Sequence, residues 1–415
     1  GDSHAPVPLL VSTAGWAIYA DTLRHATFYC ASHERRDAAI RRDSKPGHIA
    51  INTDDLYASK KLQQRLITIE IPHVQGVDLY LLAGPTMTQA VQRYNLFSGG
   101  GFLPPLWGLG VWYRTFGRFN QQQVIELARE LRDRHLPCDV LGLEPGWQTK
   151  AYSNSLVWSD ERFPDPAGLI QQSSDMGYKL NLWEHIFIHP SSPLHETLLP
   201  QSGEHLVWEG LVPDLTLPAA FETFTAYHAD NFVSQGIAGF KLDECDSSDF
   251  IPFPWSFPLT SQFPSGLDGE QMHSLLGMKY MHSIEQAFRR HNRRTFSSVR
   301  CAHAFASPSP FALYSDLYDF QDFLRGVVNM GFTGLIWTPE VRDASSTHDL
   351  IRRIQAVMLS PQALINAWYI PSPPWKQINR DLNNQGVAMD NWEEVEAICR
   401  QAMELRMALI PYLYN

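Results

Sequence analysis

The sequence predicts an α/β fold: a (β/α)8 TIM barrel preceded by an N-terminal β-rich segment, part of a β-sandwich. Three observations carry this. Eight strand-like runs alternate with helical periodicities over roughly 300 residues. Most of these runs are apolar throughout, as parallel strands covered on both faces are. No glycine-rich phosphate turn follows the first run, because Gly108-Leu109-Gly110 lacks a third glycine, and this counts against a doubly wound open sheet.

Taken in order, residues 1–84 form the β-rich segment. Val7 to Val11 and Trp16 to Tyr19 flank Ser12-Thr13-Ala14-Gly15, a hairpin-like turn. Ile67 to Ile71 alternates with period two, and Val77 to Leu82 follows as another strand. Residues 85–104 are a linker. Gly84-Pro85 punctuates, a helix starts at Thr86, with Thr88 as the alternative cap, and three Gly and two Pro crowd the stretch 97–105. Residues 105–415 are the barrel. Its expected strands are Leu106–Tyr113, Cys138–Leu143, Tyr178–Trp183, Ile237–Leu242, Thr295–Val299, Phe311–Tyr314, Gly334–Trp337 and Ala363–Ala367. The sixth starts against Pro308 and Pro310. Between the strands, Val124, Leu127, Ala128 and Leu131 share a helix face. So do Phe221, Phe224, His228 and Phe232, and then Met272, Leu275, Leu276 and Ile284. Residues 250–268, rich in Pro and Phe, read as a loop over the end of the fourth strand.

Composition narrows the function. Of 415 residues, 44% are hydrophobic, enough for a large core, and 33 basic against 44 acidic side chains leave a net charge of −11. An acidic chain is a poor partner for nucleic acid, and no 18-residue apolar stretch predicts a membrane span. Five widely spaced cysteines match neither a disulfide framework nor a zinc site and read as free thiols. No HExxH or clustered His/carboxylate spacing predicts a metal site, and no cofactor is expected. Aromatic residues at 12%, including 12 Trp, suit a core and also a site that stacks sugar rings.

Catalytic groups of such a barrel sit at the C-terminal ends of its strands. That rule selects Arg114, Glu144, Glu184, His185, Asp243, Glu244, Asp246, Arg300, Asp316, Glu340, Arg342, Asp343, Asn366 and Trp368. Several carboxylates with Arg and Trp fit carbohydrate chemistry: charged groups grip hydroxyl pairs, and apolar platforms cover C–H faces. In Gly239-Phe240-Lys241-Leu242-Asp243-Glu244, Lys241 and Asp243 alternate with apolar residues, so both face the barrel interior. The cation would keep Asp243 ionised, as a nucleophile requires. Spacing alone leaves open a buried ion pair that only supports the barrel. Base rates put about half of Trp147, Trp158, Trp183, Trp337 and Trp368 in the core, and Glu144 and Glu184 have the alternative reading of buried network members.

Read together, these segments resemble glycoside hydrolase family 31, the retaining α-glycosidases. Pro105-Leu106-Trp107-Gly108-Leu109-Gly110 resembles the family's first barrel strand. Trp147, Trp158 and Phe163-Pro164-Asp165-Pro166 resemble its substrate-side loop, and Phe240-Lys241-Leu242-Asp243-Glu244 its nucleophile strand. Leu405-Arg406 followed by Leu409-Ile410-Pro411-Tyr412 resembles the helix that closes the barrel. The resemblance implies Asp243 as nucleophile and Arg300 as a sugar-binding group. It implies an acid/base in Tyr314-Ser315-Asp316, before Gly331-Phe332-Thr333-Gly334: Asp316 first, Asp319 second. As a plain structural group Asp316 would cap a helix over Leu317 to Val328. A retaining pair stands roughly 5–6 Å apart.

Two segments depart from the family pattern. Ile336-Trp337-Thr338-Pro339-Glu340 stands where many members have Phe-Trp-x-His-Asp, and Trp368-Tyr369-Ile370-Pro371 replaces an Arg/His-bearing loop. The resulting expectation is an exo-acting retaining α-glycoside hydrolase with a carbohydrate substrate, leaning to an α-galactoside or its N-acetyl analogue. Its catalytic residues are Asp243 and Asp316, and its substrate-binding residues are Glu144, Trp147, Trp183, Glu184, Lys241, Arg300, Trp337, Glu340 and Trp368. The alternatives are an α-glucosidase or α-xylosidase, a transglycosylase using the 250–264 loop as acceptor site, and a sugar-binding homologue without catalysis. Without an initiator Met and with too few residues for a full sandwich, the chain reads as the catalytic piece of a longer protein.

Overall fold

The computed structural model describes residues 7–33, 66–245, 256–301, 303–314, 319–381 and 385–415. Strands β1 (Leu9–Ser12), β2 (Trp16–Asp21) and β5 (Asp78–Ala83) form an antiparallel sheet, and β3 (Thr27–His33) pairs with β4 (Leu66–Glu70) as a separate ribbon. The β1–β2 turn is the expected one: Ser12 pairs with Trp16, and Gly15 takes a positive φ of 83° that an L side chain resists. Helix α1 (Met87–Phe97) follows, with the Thr86 hydroxyl accepting from Gln89 N. It packs on β2 and β5, so the linker stretch carries a helix of its own. Tyr19, Tyr94, Phe97 and Phe305 gather where this unit meets the barrel.

The barrel strands are β6 (Val111–Arg114), β7 (Val140–Leu143), β8 (Lys179–His185), β9 (Gly239–Asp243), β10 (Ser297–Val299), β11 (Phe311–Leu313), β12 (Glu340–Val341) and β13 (Ala363–Asn366). All pair in parallel, in the order β11-β10-β9-β8-β7-β6-β13-β12. The ends meet through the segment before β12. Trp337 bridges Leu313, with Leu313 N donating to Ile336 O at 2.7 Å and Thr338 N to Leu313 O at 2.7 Å. Thus eight βα steps close a TIM barrel, as expected.

Two strands differ from the sequence expectation. Leu106–Leu109 is a tight 3-10 turn rather than the start of a strand, entered from Pro105. Its Gly108 lies so near Phe296 that an added Cβ would come within 2.7 Å of the ring, and Gly108 O accepts from Trp112 Nε1 at 2.9 Å. The seventh strand is split. Trp337 makes one bridge, and regular pairing resumes at Glu340, because Pro339 between them has no N–H to offer.

The amphipathic faces land as read: Val124, Leu127, Ala128 and Leu131 of α2 (Gln121–Asp133) are buried. So are Phe224 and His228 of α4 (Pro218–His228), after α3 (Pro166–Asp175), with Phe232 just beyond it, and Met272, Leu276 and Ile284 of α5 (Gly269–Arg290), whereas Phe221 and Leu275 on the same faces are half-buried. Then come α6 (Phe320–Met330), α7 (Thr347–Met358) and α8 (Trp392–Tyr414). Arg406 of α8 is buried and donates to the carbonyls of Leu109, Met358, Ser360 and Pro361, tying the chain end to the barrel's base; burial pushes its pKa down to about 10. All five cysteines are free thiols, four of them buried. No described helix is long and apolar enough to cross a membrane.

Candidate active site

Strand register decides which side chains face inward. Trp112, Val140, Phe296, Ala312 and Leu364 pack together as the floor of the barrel interior. One step up each strand of the same parity, Arg114 pairs with Gly142, Gly142 with Asn181 and Asn181 with Gly239. Above that row stand Glu144, Trp183, Lys241 and Asp243, as the alternation in the sequence implies.

Asp243 is the most heavily supported group. Its Oδ2 accepts from Trp183 Nε1 at 2.8 Å and lies 3.8 Å from Lys241 Nζ. Its Oδ1 accepts from Arg300 Nη1 at 3.1 Å and from the backbone N–H of Glu244 at 2.9 Å. Glu244 reaches that position with φ of +54°, a left-handed conformation uncommon for a residue with a side chain. Burial by itself raises the Asp243 pKa. Lys241 and Arg300, helped by hydrogen bonds from Trp183 and Tyr314, overcome it and hold the carboxyl well below the usual range. The group is an anion at neutral pH, buried at the C-terminal end of β9.

Lys241 is likewise kept charged. Burial lowers its pKa, but Glu144, Asp243 and Glu340 together raise it more, against the opposing charge of Arg114. Its ammonium also sits 4.8 Å from the centre of the Tyr314 ring. Arg114 Nε donates to Glu144 Oε1, Nη1 to Asn181 Oδ1 at 2.6 Å, and Nη2 to Leu143 O at 3.0 Å. Gly142 is required beside it, since a Cβ there would meet the guanidinium at 2.8 Å. Glu144, Trp183, Lys241, Arg300 and Glu340 thus share the interior with Asp243.

Three expected sugar ligands face the other way. Glu184 follows Trp183 in the strand, and consecutive side chains alternate, so it points between β8 and the helices. There it accepts from Tyr280 Oη at 2.7 Å and pairs with His228 Nε2 at 3.2 Å, fully buried. Trp147 is buried against Trp158 and Phe232, its Nε1 donating to Trp183 O at 2.6 Å. Trp337 packs on Phe323 and on Gly326 of α6. These three belong to the wall. Tyr280→Phe is accordingly expected to cost about 1–3 kcal/mol of stability in urea unfolding, with kcat/KM unchanged; a selective loss of kcat/KM would return Glu184 to the site.

Trp368, beyond β13, is 38% exposed and packs edge-on against Tyr369, 4.8 Å between centroids. It is the one expected aromatic among these with a ring face left to solvent at the strand ends. The structure adds Tyr152 and Asn181, which the strand-end rule does not select, and gives a place to His185, which it does select but to which no sugar-binding role is given. His185 has the parity of Trp183 and sits beside it, 5.4 Å between rings. Burial pushes its pKa down to about 3 despite the nearby Asp243, so the imidazole is neutral. Tyr152 lies 5.4 Å from Trp183 and 5.6 Å from His185. Burial and the charges of Asp243, Glu244 and Glu144 raise its hydroxyl pKa. Strand parity would have placed His185 and found Asn181; Tyr152 comes from a loop with no periodic signal.

Asp316 and Asp246 lie outside the described residues, as do residues 250–255 of the expected overhanging loop. Asp319 is described: it caps α6, its Oδ1 accepting from Gln321 N at 2.9 Å and Asp322 N at 3.0 Å. The described helix runs from Phe320 with Asp319 at its cap; the helix start read at Leu317 after Asp316 lies outside the described residues. Among the described residues no cluster of three or more His, Cys, Asp or Glu side chains is placed to hold a metal.

Fold and site define a TIM-barrel protein with a carboxylate-centred polar site at the C-terminal ends of its strands. Residues 101–415 match the family model described as the glycosyl hydrolases family 31 TIM-barrel domain, and the chain belongs to that family. It is similar to the α-xylosidase XylQ of Lactiplantibacillus pentosus, 27% identical over 51% of this chain and 28% of that protein. It is also similar to human neutral α-glucosidase AB, 29% identical over 29% of this chain and 13% of that protein. Two solved structures share the fold. One is a soil-metagenome GH31 α-xylosidase complexed with xylose: TM-score 0.72, 17% identity, covering 100% of this chain and 60% of that one. The other is a cycloalternan-degrading enzyme from Trueperella pyogenes in complex with a covalent intermediate: TM-score 0.76, 16% identity, covering 99% and 58%. The chain therefore spans only part of the length of each of these four relatives.

Proposed function

We propose that this protein is a retaining α-glycoside hydrolase in which Asp243 is the nucleophile and Asp316 the acid/base. The observation that carries the reading is Asp243 itself: a buried carboxylate kept ionised by Lys241 and Arg300 and aimed by Trp183 and the Glu244 N–H. In the first step a carboxylate oxygen of Asp243 bonds to the anomeric carbon. The bond from that carbon to the leaving oxygen breaks, and Asp316 gives the leaving oxygen its proton. In the second, water loses a proton to Asp316 and attacks the same carbon, releasing Asp243. Positive charge on the ring in each transition state is offset by the surrounding carboxylates. Glu144, Glu340 and Arg300 are the hydroxyl-binding groups, and Trp368 is the platform at the mouth.

For the sugar, the Pro- and Trp-rich segment after β13 favours an α-galactoside, whose axial O4 leaves one face smoother. The names of the relatives, α-xylosidases and α-glucosidases, favour an α-xyloside or α-glucoside instead. A panel of aryl α-galactosides, α-xylosides, α-glucosides and N-acetyl-α-galactosaminides decides between them by relative kcat/KM. The product anomer, read by NMR during turnover, tests the mechanism: retained configuration is expected, and an inverted product overturns it.

A further inference from the structure

The eighth barrel strand ends on Asn366, a strand-end candidate to which the expectations above give no role. Asn366 pairs in register with Arg114 and stands two residues beyond Leu364 of the barrel floor, so its side chain has the inward parity. It is 1% exposed, and among the described residues neither its Oδ1 nor its Nδ2 has a hydrogen-bond partner. Its neighbours are committed. Each of the three nitrogens of Arg114 already donates, to Glu144, Asn181 and Leu143 O.

A buried amide with both ends unpartnered is costly to keep. Such a group is retained where something else supplies the partners, and strain of this kind gathers at functional sites. Its chemistry also differs from that of the rest of the site. Glu144, Asp243 and Glu340 as carboxylates only accept, whereas Lys241 and Arg300 only donate. Asn366 does both from two atoms of one rigid plane. A pair of neighbouring sugar hydroxyls, each donor and acceptor, matches it: one receives from Nδ2 and the next gives to Oδ1.

We propose that Asn366 is a specificity-determining residue that reads two vicinal, unsubstituted hydroxyls of the bound sugar. The proposal rests on the reading of this site as a glycoside site. A sugar with either hydroxyl removed or alkylated leaves one end of the amide buried without a partner and is rejected.

The test compares wild type, Asn366→Ala and Asn366→Asp on the preferred aryl glycoside and on its monodeoxy analogues at each ring position. In wild type, two adjacent deoxy positions are expected to lower kcat/KM roughly 10- to 100-fold. In Asn366→Ala the parent substrate falls by a similar factor, and those two penalties disappear while the others persist. Asn366→Asp, which keeps an acceptor and loses the donor, abolishes only one of the two penalties. The thermal midpoint of Asn366→Ala is expected to stay or rise, because among the described residues the amide has no hydrogen bond to lose. Deoxy penalties that are the same in wild type and Asn366→Ala overturn the proposal. So does a lowered midpoint with a uniform loss across all analogues. If wild type hydrolyses none of the glycosides, the hydrolase reading fails on its own. The inference is then read from thermal shifts with free galactose, glucose and xylose. A shift that Asn366→Ala loses upholds it, and equal shifts, or none, overturn it.

Discussion

Asp243→Ala is expected to lower kcat on an aryl α-glycoside by about 10⁴-fold or more, the loss typical when a group that forms the covalent intermediate is removed. The argument is geometric before it is chemical. Five donors converge on Asp243: Trp183 Nε1, Arg300 Nη1, the Glu244 N–H, the Tyr314 hydroxyl and, at longer range, Lys241 Nζ. They do two things at once. They hold the carboxylate ionised against burial, and they fix its orientation at the C-terminal end of β9. Azide added to the variant should restore turnover by a single displacement and give a glycosyl azide of inverted configuration; turnover by Asp243→Ala at the wild-type rate would remove Asp243 from the mechanism. The pH dependence follows from the sign of the shift. The folded pKa of Asp243 lies below the unfolded value of about 3.9. Its interactions therefore stabilise the fold above that pH and are lost as pH falls through the folded value. An acid limb of kcat/KM near pH 5 must then belong to another group, not to the nucleophile.

Arg114→Met is expected to destabilise the protein by about 3–5 kcal/mol, the cost of leaving a buried charge without its partner. Arg114 is 1% exposed, and the Glu144 carboxylate it holds is 4% exposed. Lys241 also attracts Glu144 but is shared with Asp243 and Glu340, so it makes up only part of the loss. Urea unfolding with an unchanged m-value measures the effect. The double variant Arg114→Met/Glu144→Leu should be less destabilised than Arg114→Met alone, because it leaves no orphaned charge. A single-variant loss under about 1 kcal/mol would mean that water, not the ion pair, satisfies Glu144.

Much of this was legible in the sequence because it depends on local repetition. Short apolar runs at intervals of one helix identified the barrel, and alternation through Lys241-Leu242-Asp243 put both charges inside. The errors have a local cause as well. Trp183 and Glu184 were both assigned to the site although adjacent strand residues face opposite sides; their neighbours show that Trp183 takes the interior and Glu184 the helices. Trp147 and Trp337 were assigned as strand-end aromatics. Phe232, far along the chain, takes up the Trp147 ring, and Gly326, in the helix just before Trp337, takes up the other; neither contact leaves a periodic mark in the sequence.

What the sequence determined by itself was periodic: the fold class, the strand ends that carry charge, and the pairing of Lys241 with Asp243 two residues apart on one strand. What only the tertiary structure decided was convergence. Arg114 meets Asn181 across 67 residues, Trp183 meets Asp243 across 60, and Asn366 lies in register with Arg114 with its amide still unpartnered among the described residues. Hydrogen bonding and charge compensation act over a few ångströms. Closing the barrel brings such distant residues that near, and a linear pattern records which residues are polar but not which polar atoms will find each other.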